Sequence, residues 1–110
     1  MEKTSPDGNS GMLAELFESL RDPALKSSVR LLILISLGIN TRLGFSDLLK
    51  LTGTGKGSLH NHLSRLEASG YVSVTRYSFF SSARVRVEIT GKGRDVVQQY
   101  LGSIRSTTVK

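Results

Sequence analysis

Cysteine is missing from the 110 residues, which excludes disulfides, thiolate metal sites and a cysteine nucleophile. Long hydrophobic runs are missing too. The longest, Leu31 to Ile35, is far short of the about 20 residues needed to cross a bilayer. Met1-Glu2-Lys3-Thr4-Ser5-Pro6 does not lead into a signal-peptide core. A soluble, cytoplasmic protein is therefore expected, with one domain and a core of modest size.

Acid is the third scarcity, with nine Asp and Glu against fifteen Lys and Arg. Residues 1–22 hold two basic and five acidic side chains, a net of −3, and residues 23–110 hold thirteen basic and four acidic ones, a net of +9. A basic body behind an acidic leading segment points to a polyanionic partner, because each neutralised phosphate releases condensed counterions.

Glycine is plentiful, and it concentrates in Thr52-Gly53-Thr54-Gly55-Lys56-Gly57-Ser58. A nucleotide-gripping phosphate loop needs Gly, four residues, then Gly-Lys-Ser/Thr after a buried strand. Here Gly57 follows Lys56, Lys50 occupies the first glycine's position, and Phe45, Leu48, Leu49 and Leu51 precede the loop at helical spacing. A nucleotide-binding enzyme is thus a rival reading that the spacing disfavours. No Ser-His-Asp or paired-carboxylate spacing is present, and the reading is of a non-enzyme without cofactor. His60 and His62 point to different sides of one helix and cannot share a metal ion within it.

Residues 1–9 are polar and aperiodic and are expected to be disordered. Met12, Leu13, Leu16, Phe17 and Leu20 form the stripe of an amphipathic helix that Ser10 can cap. Asp22-Pro23 then reads as N-cap and first position of a second helix running to about Leu37, with Gly38 as its stop. Leu43-Gly44-Phe45 is a strand stub, Ser46 can cap a helix through Leu51, and a longer helix runs from Lys56 to Ser69 with Gly70 as its stop. After Gly70 the period changes to 2. Tyr71 to Tyr77 and the alternation of Val85, Val87 and Ile89 with Arg84, Arg86 and Glu88 give a β-hairpin around Ser78 to Ala83. Thr90 can cap a last helix carrying Val96, Val97, Tyr100, Leu101 and Ile104. The expected organisation is a domain over residues 10–105 and a frayed tail over 106–110.

The order helix, helix, strand, helix, helix, strand, strand, helix is that of a winged helix-turn-helix, mainly α with a small hairpin. "FSDLLKLTGTGKGSLHNHLSRLEASGYVSV" and "VEITGKGRDVVQQYL" resemble the winged-helix transcriptional regulators of the MarR and ArsR type, above all their short one-domain archaeal and bacterial members. That resemblance implies a homodimer placing one helix of each subunit in the major groove of double-stranded DNA.

On a wheel of about 100° per residue, Leu59, Leu63 and Leu66 share one side of the 56–69 helix. Gly57, Asn61, Ser64 and Arg65 lie opposite, flanked by Ser58 and His60. Residues of this kind suit a groove, since Asn pairs with adenine edges and Ser, His or Lys reaches bases or phosphates. Candidate DNA-binding residues are therefore Lys56, Gly57, Ser58, His60, Asn61, Ser64 and Arg65, together with Arg76, Arg84 and Arg86 of the hairpin, with Arg76 near its tip. His62 borders the apolar stripe and is expected to be packed or phosphate-facing. Candidate dimerisation residues are Leu13, Leu16, Phe17 and Leu20 of the first helix and Val97, Tyr100, Leu101 and Ile104 of the last. A protein-binding winged helix without specific DNA recognition, anchored by Phe79-Phe80, is the competing reading. The effector, if one exists, has no signature in the sequence.

Overall fold

The computed structural model describes residues 11, 14, 18, 21–79 and 82–108. Of the leading helix, Gly11, Ala14 and Glu18 are helical; its expected apolar stripe, including Leu13, Leu16, Phe17 and Leu20, lies outside the described residues. A 3-10 turn, Pro23–Leu25, opens the body, followed by α1 (Ser28–Asn40), β1 (Arg42–Gly44), α2 (Phe45–Thr52), α3 (Lys56–Ala68), β2 (Val72–Phe79), β3 (Ser82–Ile89) and α4 (Gly91–Thr108). The strands form one antiparallel sheet in the order β1-β3-β2. This is the winged helix-turn-helix arrangement that the order of elements implies. No described helix is long and apolar enough to cross a membrane.

The apolar stretch Leu31 to Leu37 forms the hub. Ile33, Leu34 and Leu37 of α1 are fully buried with Leu48 of α2, Leu59 and Leu66 of α3 and Val87 of β3. Each such side chain stabilises the fold by about 1.5–3 kcal/mol relative to an exposed one. Ser36 is buried within α1 and returns its hydroxyl to Leu32 O at 2.8 Å.

Several expected boundaries differ from the structure. Asp22 does cap and Pro23 does open a helical turn, the Asp22 carboxylate accepting from Ala24 N at 2.9 Å. That turn closes after three residues, and Ser27 supplies a second cap by accepting from Arg30 N at 3.2 Å. Gly38 does not stop the helix. It lies inside α1 because a Cβ there would come within 2.8 Å of Val97 Cγ1, so the two helices cross at a residue without a side chain. The helix ends instead at Thr41, at φ 70 and ψ −48, a strained region near the rare γ-turn for any residue with a Cβ. Finally, α2 begins at Phe45 behind Gly44, without a side-chain cap, rather than behind Ser46.

Of the remaining expected caps, Ser10 lies outside the described residues, and the other two form at the expected residues. After α3, Gly70 at φ 86 lets Tyr71 N reach Leu66 O at 3.0 Å and Gly70 N reach Glu67 O at 2.9 Å, the paired bonds of a Schellman stop. Thr90 accepts from Gly93 N at 3.1 Å at the start of α4. Gly93 has no substitute, since a Cβ would lie 2.2 Å from Tyr71 O.

Two stability outcomes follow. Gly93→Ala is expected to cost about 3 kcal/mol, the upper end of the usual overpacking range, since backbone and not a movable side chain blocks the Cβ. Thr41→Gly is expected to raise stability by up to about 1 kcal/mol through relief of the backbone strain. Denaturant midpoints read both.

Candidate nucleic-acid interface

The helix-turn-helix is built around a left-handed glycine. Gly53, at φ 67, ends α2, its N–H reaching Leu49 O at 3.0 Å. Thr52 Oγ1 donates to Leu48 O at 2.8 Å and lies 3.0 Å from Thr54 Oγ1, closing the turn onto Gly55, the N-cap of α3. A helix precedes this loop, so it is not the strand-to-helix phosphate loop its glycines suggest.

α3 is then fixed in rotation by Leu59, Leu63 and Leu66, all at 2% exposure or less. Its other side faces outward: Lys56, Gly57, Ser58, His60, Asn61, Ser64 and Arg65 are all exposed. A Cβ on Gly57 would meet nothing within 4 Å. Neither packing nor backbone conformation inside this chain requires glycine there.

The hairpin stands beside the same face. Its register, from Val72↔Ile89 to Phe79↔Ser82, runs the strands farther than the expected Ser78 to Ala83 break and leaves a tighter connection. Directly opposed residues share a face. Arg84 opposite Tyr77, and Arg86 opposite Thr75, therefore lie on the outer face with Arg42 and Glu88. Arg76 opposes Val85 and belongs to the other face, in line with Val74 and Val87. Arg84, not Arg76, stands closer to the turn, so the three arginines do not form one row. Arg86 is engaged over the Tyr77 ring, 5.8 Å from its centroid. Phe80 lies outside the described residues.

Between the hairpin and the helix-turn-helix is a cleft of about 320 Å³, lined by Gly44, Phe45, Ser46, Lys56, His60, Tyr77, Arg84 and Val85. Its charged members, Lys56 and Arg84, are cationic and its other polar side chains are those of Ser46, His60 and Tyr77, a lining suited to a phosphate oxygen. His60 is not a freely swinging side chain: its ring stacks on Phe45 at 4.4 Å between centroids, with 28° between the planes. Ser46, Phe45 and Tyr77 are absent from the sequence-derived candidates, since only the fold brings residues 45, 60 and 77 together.

His62 packs inward, where Arg30 Nη1 donates to its Nδ1 at 2.9 Å. Burial, then Arg30, then Arg65 hold its pKa below the ordinary 6.5. Of the expected dimerisation residues on α4, Val97 belongs to this chain's own core against Gly38, and Tyr100 is half-buried. Leu101 and Ile104 are 39% and 45% exposed. Among the described residues no group of His and carboxylates is arranged to hold a metal ion.

Residues 29–107 match the family described as winged helix DNA-binding domain. No curated protein is a match. Among solved structures, the chain is similar to a transcriptional regulator homologue from Pyrococcus horikoshii OT3, at 28% identity and TM-score 0.70 over 88% of this chain and 93% of that one. It is also similar to NolR from Sinorhizobium fredii, at 26% identity and TM-score 0.61 over 98% and 97%. FabT from Streptococcus pneumoniae, solved in complex with DNA, shares the fold at 21% identity and TM-score 0.66 over 90% and 69%.

The lowered His62 pKa has a definite sign. The unfolded chain takes up the proton first, so this contribution to stability is present above about pH 6.5 and is lost as the pH falls through the lower folded value. The wild-type thermal midpoint is expected to drop on acidification below 6.5, and His62→Asn, which keeps an acceptor at every pH, is expected to lack that component.

Proposed function

We propose that this chain, which belongs to the winged helix DNA-binding domain family, is a transcriptional regulator that binds specific double-stranded sites as a homodimer. The observation that carries this reading is the pairing of the outward side of α3 with the cationic cleft. The leucine stripe turns Gly57, Asn61 and Ser64 away from the core, and Lys56 and His60 of the same helix share the cleft with Arg84 of the hairpin. α3 then enters the major groove with Asn61 on a base edge, preferentially adenine. Phosphate oxygens beside the groove fall to Lys56, Arg84 and the Ser46 and Tyr77 hydroxyls, and Arg86 and Arg76 serve the backbone from the two faces of the hairpin.

Gly57 fits the same reading, because a first-turn glycine with open space around it lets the helix backbone approach the duplex closely. FabT, whose fold this chain shares, is solved in complex with DNA, in keeping with this mode. Leu101 and Ile104 on α4, together with the apolar residues 13, 16, 17 and 20, supply the surface for a second copy. Half-sites are then about one helical turn, ~34 Å, apart. Gene control through such binding requires no catalytic group, and none is assigned.

Three variants test the reading on a duplex retained in gel shift. Asn61→Ala is expected to cost ~1–3 kcal/mol of binding and to relax preference at one position, whereas Arg84→Gln is expected to weaken all sequences alike and lower the salt slope by about 1. Gly57→Ala is the most discriminating: folding stability is unchanged or higher by up to about 1 kcal/mol, while DNA affinity falls. Unaltered binding by all three would overturn the assignment of this face.

A further inference from the structure

Arg30 is the most deeply placed cation in the described body, at 7% exposure. Among the described residues no carboxylate pairs with it; the three bonds it makes go to neutral acceptors. Nε donates to Ala24 O at 2.5 Å, Nη2 to Pro23 O at 3.3 Å and Nη1 to His62 Nδ1 at 2.9 Å. Two of these acceptors belong to the 3-10 turn that joins the leading segment to the body. The third belongs to the reading helix α3, one residue after Asn61. A single guanidinium on α1 therefore ties the entrance of the body to the element that meets DNA.

The chemistry of the third bond is restrictive. A guanidinium donates only, so Nδ1 must offer its lone pair and the imidazole proton must sit on Nε2. A second proton on His62 would set an N–H against an N–H at 2.9 Å and place two cations together in a half-buried site. Arg65, one turn farther along α3, adds a third positive charge. The acid of the adjoining turn is Asp22, whose carboxylate is already engaged by Ala24 N at 2.9 Å and by Tyr71 Oη at 2.8 Å. Among the described residues, the charged groups facing His62 are thus Arg30 from α1 and Arg65 from its own helix, while the turn contributes the Pro23 and Ala24 carbonyls through Arg30.

We propose that Arg30 and His62 form a proton-sensitive latch that positions the reading helix against the turn leading to the N-terminal segment, and that protonation of His62 opens the latch and weakens DNA binding. The inference rests on the DNA-binding reading above. His62 contacts no DNA in it; it is a positioning residue acting through α3. Acidification is then a signal this chain senses through its own fold, with the bonds from Arg30 to the turn and to α3 lost or rearranged together.

The test compares wild type with His62→Asn, whose side-chain oxygen can take the place of Nδ1 at every pH. Affinity for a selected duplex is measured at pH 7.5 and 5.5 at fixed ionic strength, with circular dichroism confirming that both proteins remain folded. On acidification the wild type is expected to lose affinity by a factor at least about fivefold larger than His62→Asn loses, the lower end of ordinary coupling between sites. His60 is common to both proteins and cancels in the comparison. Identical pH profiles with intact specific binding would overturn the latch and leave the DNA-binding reading standing. Should no duplex be bound specifically, that reading fails, and nitrogen NMR of wild-type His62 still decides the latch. An unprotonated Nδ1 at pH 7.5 that gains its proton together with shifts in Ala24 and Leu25 amides supports it, and a proton resident on Nδ1 at pH 7.5 overturns it.

Discussion

The burial of Leu59, Leu63 and Leu66 fixes everything that α3 can do. A helix has one rotational freedom about its own axis, and three side chains at 2% exposure or less remove it. With that rotation set, Gly57, Asn61 and Ser64 have no route to the core, and Lys56 and His60 fall beside the hairpin. The surface chemistry of the site is therefore a consequence of core packing. A polar face of ordinary composition would cost nothing to hold outward. This one includes Gly57, Ser58 and Asn61, residues that weaken a helix, and the core supplies the stability they withhold.

Several glycines have different physical reasons, and those reasons separate structure from function. Gly53 and Gly70 adopt positive φ, and Gly38 and Gly93 admit another element too closely for a Cβ. Gly57 meets neither condition. A glycine that the fold does not need, on the face that the fold turns outward, fits the proposed close approach of DNA to that face. Arg30 makes the complementary case: a polar residue in an apolar stretch whose bonds are all internal, and whose value lies in joining elements rather than in touching a ligand.

Helix α3 is legible in the sequence because a period of 3.6 and a stripe of leucines depend on neighbours along the chain. The Gly70 stop and the Thr90 cap are legible for the same reason: their bonds span three to five residues. Expectation and structure part where the deciding contact is distant. Gly38 resembles a helix stop because its reason, Val97, is far along the chain. Asp22-Pro23 opens a turn of three residues because the next cap, Ser27, restarts the helix. The Phe45–His60 stack and the cleft joining Ser46, Lys56 and Arg84 have no local signal at all. Composition groups Arg76 with Arg84 and Arg86, whereas register places it on the opposite face.

The proposed function depends on the outward side of α3, with the cleft at its N-terminal end, being shaped to lie in a duplex groove. Selection of bound sequences from a random pool of duplex DNA tests this most directly, because it reads specificity, symmetry and spacing at once. The expected result is enrichment of an inverted repeat whose half-sites lie about one helical turn apart. Recovery of no preferred sequence, with binding that depends on length and salt alone, would contradict it.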